Sequence, residues 1–373
     1  MDGVWANRAA SAETAVAQRH LTRLWGLPGT QLGVVAWPPA RSDRRFGGWH
    51  YWWQAHLLDC LVDAQLRDPR PERRVQIKKQ IRAHHLRNVF WTNNYYDDMA
   101  WLALALERAG RLVGVDRDRA LAKFAGQFQA AWAPESGGGI PWRKQDQFFN
   151  APANGPVGIF LARYLDGLGE SLRLPLQIAD WIDETLIDPQ THLVFDGIAD
   201  GSLDRAVYTY CQGVVLGLET ELANRTRDDR HVARVHRLVA AVGAHLAPAG
   251  VLRAGGGGDG GLFAGITARY LALVATSLPG DAAADIEARD SARRIVLASA
   301  KSVWDYRQSV DGLPVFGAAW DRQAEMPIAA GARAKFVAGA VEGSEVAERD
   351  LSVQLSGWML MEAAHCVAER PAG

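Results

Sequence analysis

The stretch Asn93-Asn94-Tyr95-Tyr96-Asp97-Asp98-Met99-Ala100-Trp101 sets two adjacent carboxylates among aromatic and amide side chains at what reads as the start of a helix. Like charges this close drive their pKa values apart, so one acid stays ionised while the other keeps its proton near neutral pH. Glycoside hydrolysis needs that division: one carboxylate attacks or stabilises, and one carboxylic acid protonates the leaving oxygen. The plainer reading is an acidic first turn on a solvated helix, which the macrodipole favours. Trp91, Tyr95, Tyr96 and Trp101 argue against a solvated face. Sugar rings present apolar faces that pack on aromatics and polar edges that bond to Asn and Asp.

Positioning such a pair takes a large core, and 373 residues at 48% apolar content supply one. Strand signals are sparse, while apolar residues recur at three- and four-residue spacing along most of the chain. The spacing predicts six helices apolar on nearly every face, over about 50–66, 95–109, 153–168, 208–223, 261–277 and 351–367. Helices apolar all round are buried. Between them six amphipathic segments, about 6–25, 71–90, 116–132, 175–187, 229–246 and 282–305, read as outer helices. Strict alternation of outer and inner helices is the pattern of an all-α (α/α)6 toroid, which closes as one cooperative ring. A single domain over 1–373 is expected. The long gap at about 306–350 predicts an ordered excursion on the barrel. Its Tyr306, Phe316 and Trp320 could line the site or cap the core, and the core is favoured.

In such a ring the inner helices run parallel, so their N-termini make one electropositive rim. Polar and aromatic residues collect there: Trp49, His50, Trp52, Trp53 and Gln54; Asn94, Tyr96, Asp97 and Asp98; Trp142, Asn150 and Asn154; Tyr208, Tyr210 and Gln212; and Asp259. Together with Asp196 these are the candidate site residues. A Trp such as Trp53 is more often core than sugar platform. Asn150 and Asn154 could simply cap a helix. Tyr210 and Gln212 lie two apart, so at most one need face a groove. Helix N-terminal amides favour the ionised form of one Asp, and burial keeps the other protonated. Asp97 is assigned as nucleophile and Asp98 as general acid/base, although spacing alone permits the reverse.

Several ordered motifs resemble glycoside hydrolase family 76, the endo-α-1,6-mannanases. They are Trp52-Trp53-Gln54; Tyr96-Asp97-Asp98-Met99-Ala100-Trp101; Gly137-Gly138-Gly139-Ile140 with Trp142; Asn150 through Asn154-Gly155; Leu193-Val194-Phe195-Asp196-Gly197; Tyr208-Thr209-Tyr210 with Gln212-Gly213; and Phe263-Ala264-Gly265-Ile266. The resemblance implies an (α/α)6 barrel, hydrolysis of α-1,6-linked mannan with retention, and no metal or cofactor. It implies the first Asp as nucleophile and the second as acid/base. Retention places the two carboxyl groups about 5–5.5 Å apart. Two positions depart from the family: Cys211 stands where Asn is common, and Ala264 where Lys is common. The first loses an amide and the second a cation.

The expected partner is an α-mannan oligosaccharide or the mannan core of a lipoglycan. Transglycosylation is an alternative, because a covalent glycosyl-enzyme can pass to a sugar as well as to water. A catalytically impaired glycan-binding protein is another. A net charge of −1 with dispersed basic residues argues against a nucleic-acid or anionic-membrane surface. The Arg67 to Lys79 run reads as a solvated outer face, and His84-His85 as surface. Cys60, Cys211 and Cys366 read as small core residues. Gly255 to Gly261 lacks the Lys-Ser/Thr of a phosphate loop and reads as a flexible rim loop. Asp196, Asp200 and Asp204 lack the spacing of a calcium loop. The chain has no apolar run long enough to span a membrane. As written it is expected in the cytoplasm, although a chain trimmed of its leader would read the same. A monomer is expected, and the Arg- and Ala-rich composition points to a GC-rich bacterial source.

Overall fold

A computed structural model describes residues 3–369. The helices are α1 (Val4–His20), α2 (Arg41–Arg44), α3 (Tyr51–Arg67), α4 (Pro71–Asn88), α5 (Tyr96–Val113), α6 (Asp118–Ala131) and α7 (Ala151–Gly167). They continue as α8 (Arg173–Thr185), α9 (Thr209–Thr226), α10 (Asp229–Ala241), α11 (Gly260–Ser277), α12 (Ala283–Asp305) and α13 (Leu351–Glu369). Helix α3 packs on α5, α5 on α7, α7 on α9, α9 on α11, α11 on α13, and α13 back on α3. That circuit is the inner ring of an (α/α)6 toroid. Helices α1, α4, α6, α8, α10 and α12 pack outside it.

The sequence explains both layers. Along α9 every residue from Cys211 to Ala223 is buried, as a helix enclosed on all sides requires. Outer α10 buries only His231, Val235, Leu238, Val239 and Ala241, a three-four spaced stripe. Inner helices approach closely where glycine allows it. A Cβ on Gly213 would lie 2.8 Å from the Thr267 Cα, and one on Gly265 would lie 2.7 Å from the Ser356 Cα. Backbone cannot move aside as a side chain can, so these contacts fix the spacing of α9, α11 and α13.

Connections from inner to outer helices are short, whereas those from outer to inner helices carry every strand. Strand β1 (Leu21–Thr22) pairs with β2 (Leu32–Gly33), and β3 (Phe148–Asn150), β4 (Gly197–Ala199) and β5 (Ser202–Asp204) form an antiparallel sheet. Hairpins β6 (Gln308–Val310) with β7 (Leu313–Val315), and β8 (Lys335–Val337) with β9 (Ala340–Glu342), occupy the excursion before α13. All this elaboration gathers at the N-terminal rim of the inner helices. The opposite end opens into a cavity of about 850 Å³ lined by ion pairs: Arg269 bonds Asp59 at 2.6 Å and Asp63 at 2.7 Å, Arg108 bonds the same two acids, and Arg163 bonds Glu221 at 2.5 Å.

Three expectations are corrected. Arg67 and Arg73 are not a solvated face. Their side chains are buried against Glu13 at 2.7 and 2.6 Å, since a long stem can pack on apolar surface while its guanidinium pairs. His84 is buried as well, its ring set edge-on to Tyr51 and its Nε2 3.2 Å from the Tyr51 carbonyl. The excursion aromatics divide: Phe316 and Trp320 enter the core, whereas Tyr306 is exposed. Among the described residues, no helix is long and apolar enough to cross a membrane.

Candidate active site

A groove of about 750 Å³ opens at the rim, and its wall includes both acids of the pair. Asp97 and Asp98 stand in the first turn of α5, half-buried, each with an edge on the groove. Consecutive helical positions diverge by about 100°, and the two carboxylates take different partners. Asp97 accepts the Asp98 backbone N–H at 2.7 Å and the Trp142 indole N–H at 2.9 Å. Asp98 accepts the Asn93 amide at 2.6 Å, and Asn93 in turn accepts the Tyr95 N–H at 2.9 Å. The loop carrying Trp142 is laced to the same helix start, where Tyr96 N–H donates to the Trp142 carbonyl at 2.9 Å.

Burial pushes Asp97 up to about 7, against its two N–H donors, which favour the carboxylate. Asp98 is raised well above the usual range, first by burial and then by the Asp97 charge. Both acids are thus harder to ionise than a free carboxyl, and Asp98 carries its neighbour's charge as an added cause. Asp259, just before α11, is a third raised acid, again through burial. Its Oδ1 accepts the indole N–H groups of Trp52 at 2.9 Å and Trp53 at 2.8 Å, and its Oδ2 accepts the Val341 N–H at 2.6 Å.

Of the candidate residues, Trp49, His50, Trp52, Asn94, Asp97, Asp98, Trp142, Asn150, Asp196, Tyr208, Tyr210 and Asp259 line the groove. Asn150 does so while also capping α7, accepting the Ala153 N–H at 3.2 Å. Tyr210 stacks on Phe263 with ring centroids 3.9 Å apart and planes 2° from parallel, giving the groove a flat aromatic wall. Asp196 is raised to about 6, chiefly by burial and then by Asp204, and accepts the Cys211 thiol at 3.7 Å. Tyr96 packs against the core and does not line the groove.

Gln54, Asn154 and Gln212 are corrected to structural roles, and Trp53 is fully buried outside the groove lining, its indole N–H on Asp259. Gln54 bonds both the N–H and the carbonyl of Gly33 at 2.8 Å, Asn154 bonds those of Ile140 at 2.8 Å, and Gln212 bonds those of Val194 at 2.7 and 2.9 Å. Gln354 treats Phe316 the same way at 3.0 Å. Each is the fourth residue of its inner helix. A carboxamide one turn inside the rim thus stands in for a strand partner of an incoming loop, satisfying buried backbone groups. That recurring position was the available signal for the role.

Sequence reasoning did not select Asn93, Phe148, Phe263 or the segment Phe336 to Val341, all at or on the groove. His50, by contrast, is one of the candidates read from sequence; it starts α3 at φ 47° and burial lowers its ring to about 4, so the imidazole is neutral.

An (α/α)6 ring that holds a half-buried acid pair in an aromatic-walled groove has the build of a glycoside hydrolase. The profile of glycosyl hydrolase family 76 matches residues 8–353, and the chain belongs to that family. Among solved structures, the GH76A α-1,6-mannanase of Salegentibacter sp. HEL1_6 is 27% identical, with 96% of this chain and 98% of that chain covered and a TM-score of 0.79. A variant of it with two adjacent aspartates changed to asparagine, described as inactive and bound to α-1,6-mannotriose, is 26% identical over 97% of this chain and 99% of that one, with a TM-score of 0.80. The Lin0763 protein of Listeria innocua is 25% identical over 96% of each chain, with a TM-score of 0.77. No curated protein matched the sequence.

Proposed function

We propose that this protein is a retaining endo-α-1,6-mannanase whose nucleophile is Asp97 and whose general acid/base is Asp98. The observation that carries the reading is the pair itself: two adjacent carboxyls, held by different donors and both raised by burial, face one groove with aromatic walls. The likeness to a mannanase rendered inactive at two adjacent aspartates supports it. In the first step the Asp97 carboxylate attacks the anomeric carbon while Asp98 gives its proton to the departing glycosidic oxygen. In the second, water attacks the mannosyl ester, Asp98 takes the water proton, and Asp97 leaves as carboxylate. The Trp142 and Asp98 N–H groups hold the Asp97 oxygens in place for both steps. The Tyr210 and Phe263 pair offers a sugar its apolar face, and Asn94, Asn150 and Asp196 offer hydrogen bonds to hydroxyls.

The substrate class is α-1,6-linked mannan, as free oligosaccharide or as the core of a lipoglycan. Incubation with linear α-1,6-manno-oligosaccharides, alongside Asp97→Asn and Asp98→Asn, tests the assignment. Shortened products from the wild type alone support it, and longer products identify transfer to sugar in place of water. Saturable binding with no products from any form refutes hydrolysis and leaves a glycan-binding protein.

A further inference from the structure

We propose that the β8–β9 hairpin is a positioning device for the acid pair: pressed on Trp142 by Gly339 and tied to Asp259 through Val341, it holds the indole N–H on Asp97. The hairpin turns through Ala338 at φ 50° and Gly339 at φ 105°, the two left-handed residues that a tight two-residue hairpin needs. A Cβ on Gly339 would lie 2.5 Å from the Trp142 ring, so the turn backbone rests directly on the indole. At its base, Val341 and Asp259 exchange two hydrogen bonds: the Asp259 N–H donates to the Val341 carbonyl at 2.9 Å, and the Val341 N–H donates to the Asp259 carboxylate at 2.6 Å. Gly258 lies so close under Val341 that any Cβ there would meet its carbonyl. The hairpin therefore reaches from the start of α11 to the loop before α7, and Gly257 and Gly258 of the 255–261 loop are its seat.

Trp142 is thereby fixed at both ends. Its carbonyl is bonded by Tyr96, its ring is backed by Gly339, and its N–H points at Asp97. Asp97 also faces Asp98 on its own helix, Asp259 at α11 and Tyr210 on α9, with His50 of the α3 side on the same groove. None of these is a cation, so the Trp142 N–H is one of the few groups that favour the Asp97 carboxylate. Releasing the indole raises the Asp97 midpoint by about one pH unit, the tenfold change that follows from losing a hydrogen bond to a charged group.

The kinetic consequence rests on the mannanase reading, but the ionisation of Asp97 is measurable without substrate. Aspartate carboxyl carbons labelled with 13C are titrated by NMR in the whole chain, with Asp97→Asn assigning the resonance. Gly339→Ala and Trp142→Phe should each raise the midpoint by about one unit, and the double variant no further. Lys335→Ala, on the exposed start of β8, should leave it unchanged. An Ala at 339 that melts the hairpin releases the indole too, so either structural outcome gives the same shift. If Gly339→Ala leaves the midpoint unmoved while Trp142→Phe raises it, or if the two shifts add, the proposal is wrong. If the shifts occur but the wild type cleaves no mannan, the mannanase reading fails and the proposal stands. If mannan is cleaved, kcat/KM of Gly339→Ala at pH 6 should fall about tenfold, since the ionised fraction of Asp97 falls by that factor.

Discussion

Asp97→Asn should destroy activity and stabilise the fold at pH 8. The folded state carries this carboxyl at about 7 against an ordinary 3.8, so between those values folded protein binds more protons than unfolded protein. Stability from this group is present at low pH and is lost as pH rises from about 4 through 7. By pH 8 the charged carboxylate costs the fold at most about 4 kcal/mol. Water on the groove-facing edge lowers that figure. An Asn also keeps one acceptor where the carboxylate offered two, leaving the Trp142 or the Asp98 N–H unpaired, at about 1–3 kcal/mol. The net gain is about 1–2 kcal/mol at pH 8 and about zero or negative at pH 4. At roughly 2.1 cal/mol/K per residue for unfolding, a chain of this length gains about 1.3 °C in Tm per kcal/mol. Calorimetry of both proteins at pH 4, 6 and 8 should therefore show Asp97→Asn gaining on the wild type with each step, by about 1–3 °C at pH 8. A deficit that is equal at all three pH values would refute the view that burial, opposed by hydrogen bonds, sets this acid.

Asp98→Asn should cut kcat/KM about 10²–10⁴-fold on mannan but far less on an aryl α-mannoside whose leaving group departs without a proton; equal losses on both would argue against Asp98 as the acid. Gln212→Ala should leave both backbone groups of Val194 unpaired and lower stability by about 2–5 kcal/mol, read by denaturant unfolding, with kcat of the folded fraction little changed. Cys211→Asn should replace a weak thiol donor to Asp196 with an amide, lowering the Asp196 midpoint from about 6 and reducing KM most below pH 6; a KM that rises at every pH would contradict the proposed contact.

The ring was legible because burial writes itself into helical periodicity. Inner α3, α5, α7, α9, α11 and α13 begin within a few residues of the apolar segments, and each charged stripe became an outer helix. The acid pair was legible because two adjacent acids among aromatics have few uses. The polar rim was legible only in part. Gln54, Asn154 and Gln212 look like sugar ligands in a sequence, yet a buried carboxamide is equally suited to a loop backbone, and only packing separates the two. The β8–β9 hairpin was not legible. It bears on Trp142 and Asp259 through backbone atoms of Gly339 and Val341, and a contact made by backbone leaves no side-chain signature. Arg67 and Arg73 misled for a related reason, since charge in sequence does not reveal whether Glu13 comes to meet it.

The central claim is a covalent mannosyl ester on one named acid of the pair. A slow-turnover fluorinated α-1,6-mannobiosyl donor, followed by peptic digestion and tandem mass spectrometry, reads it directly. One dimannosyl unit on Asp97 in the wild type, absent from Asp97→Asn, is the predicted result. A label on Asp98, or turnover of the donor to inverted sugar with no label on either acid, would contradict it.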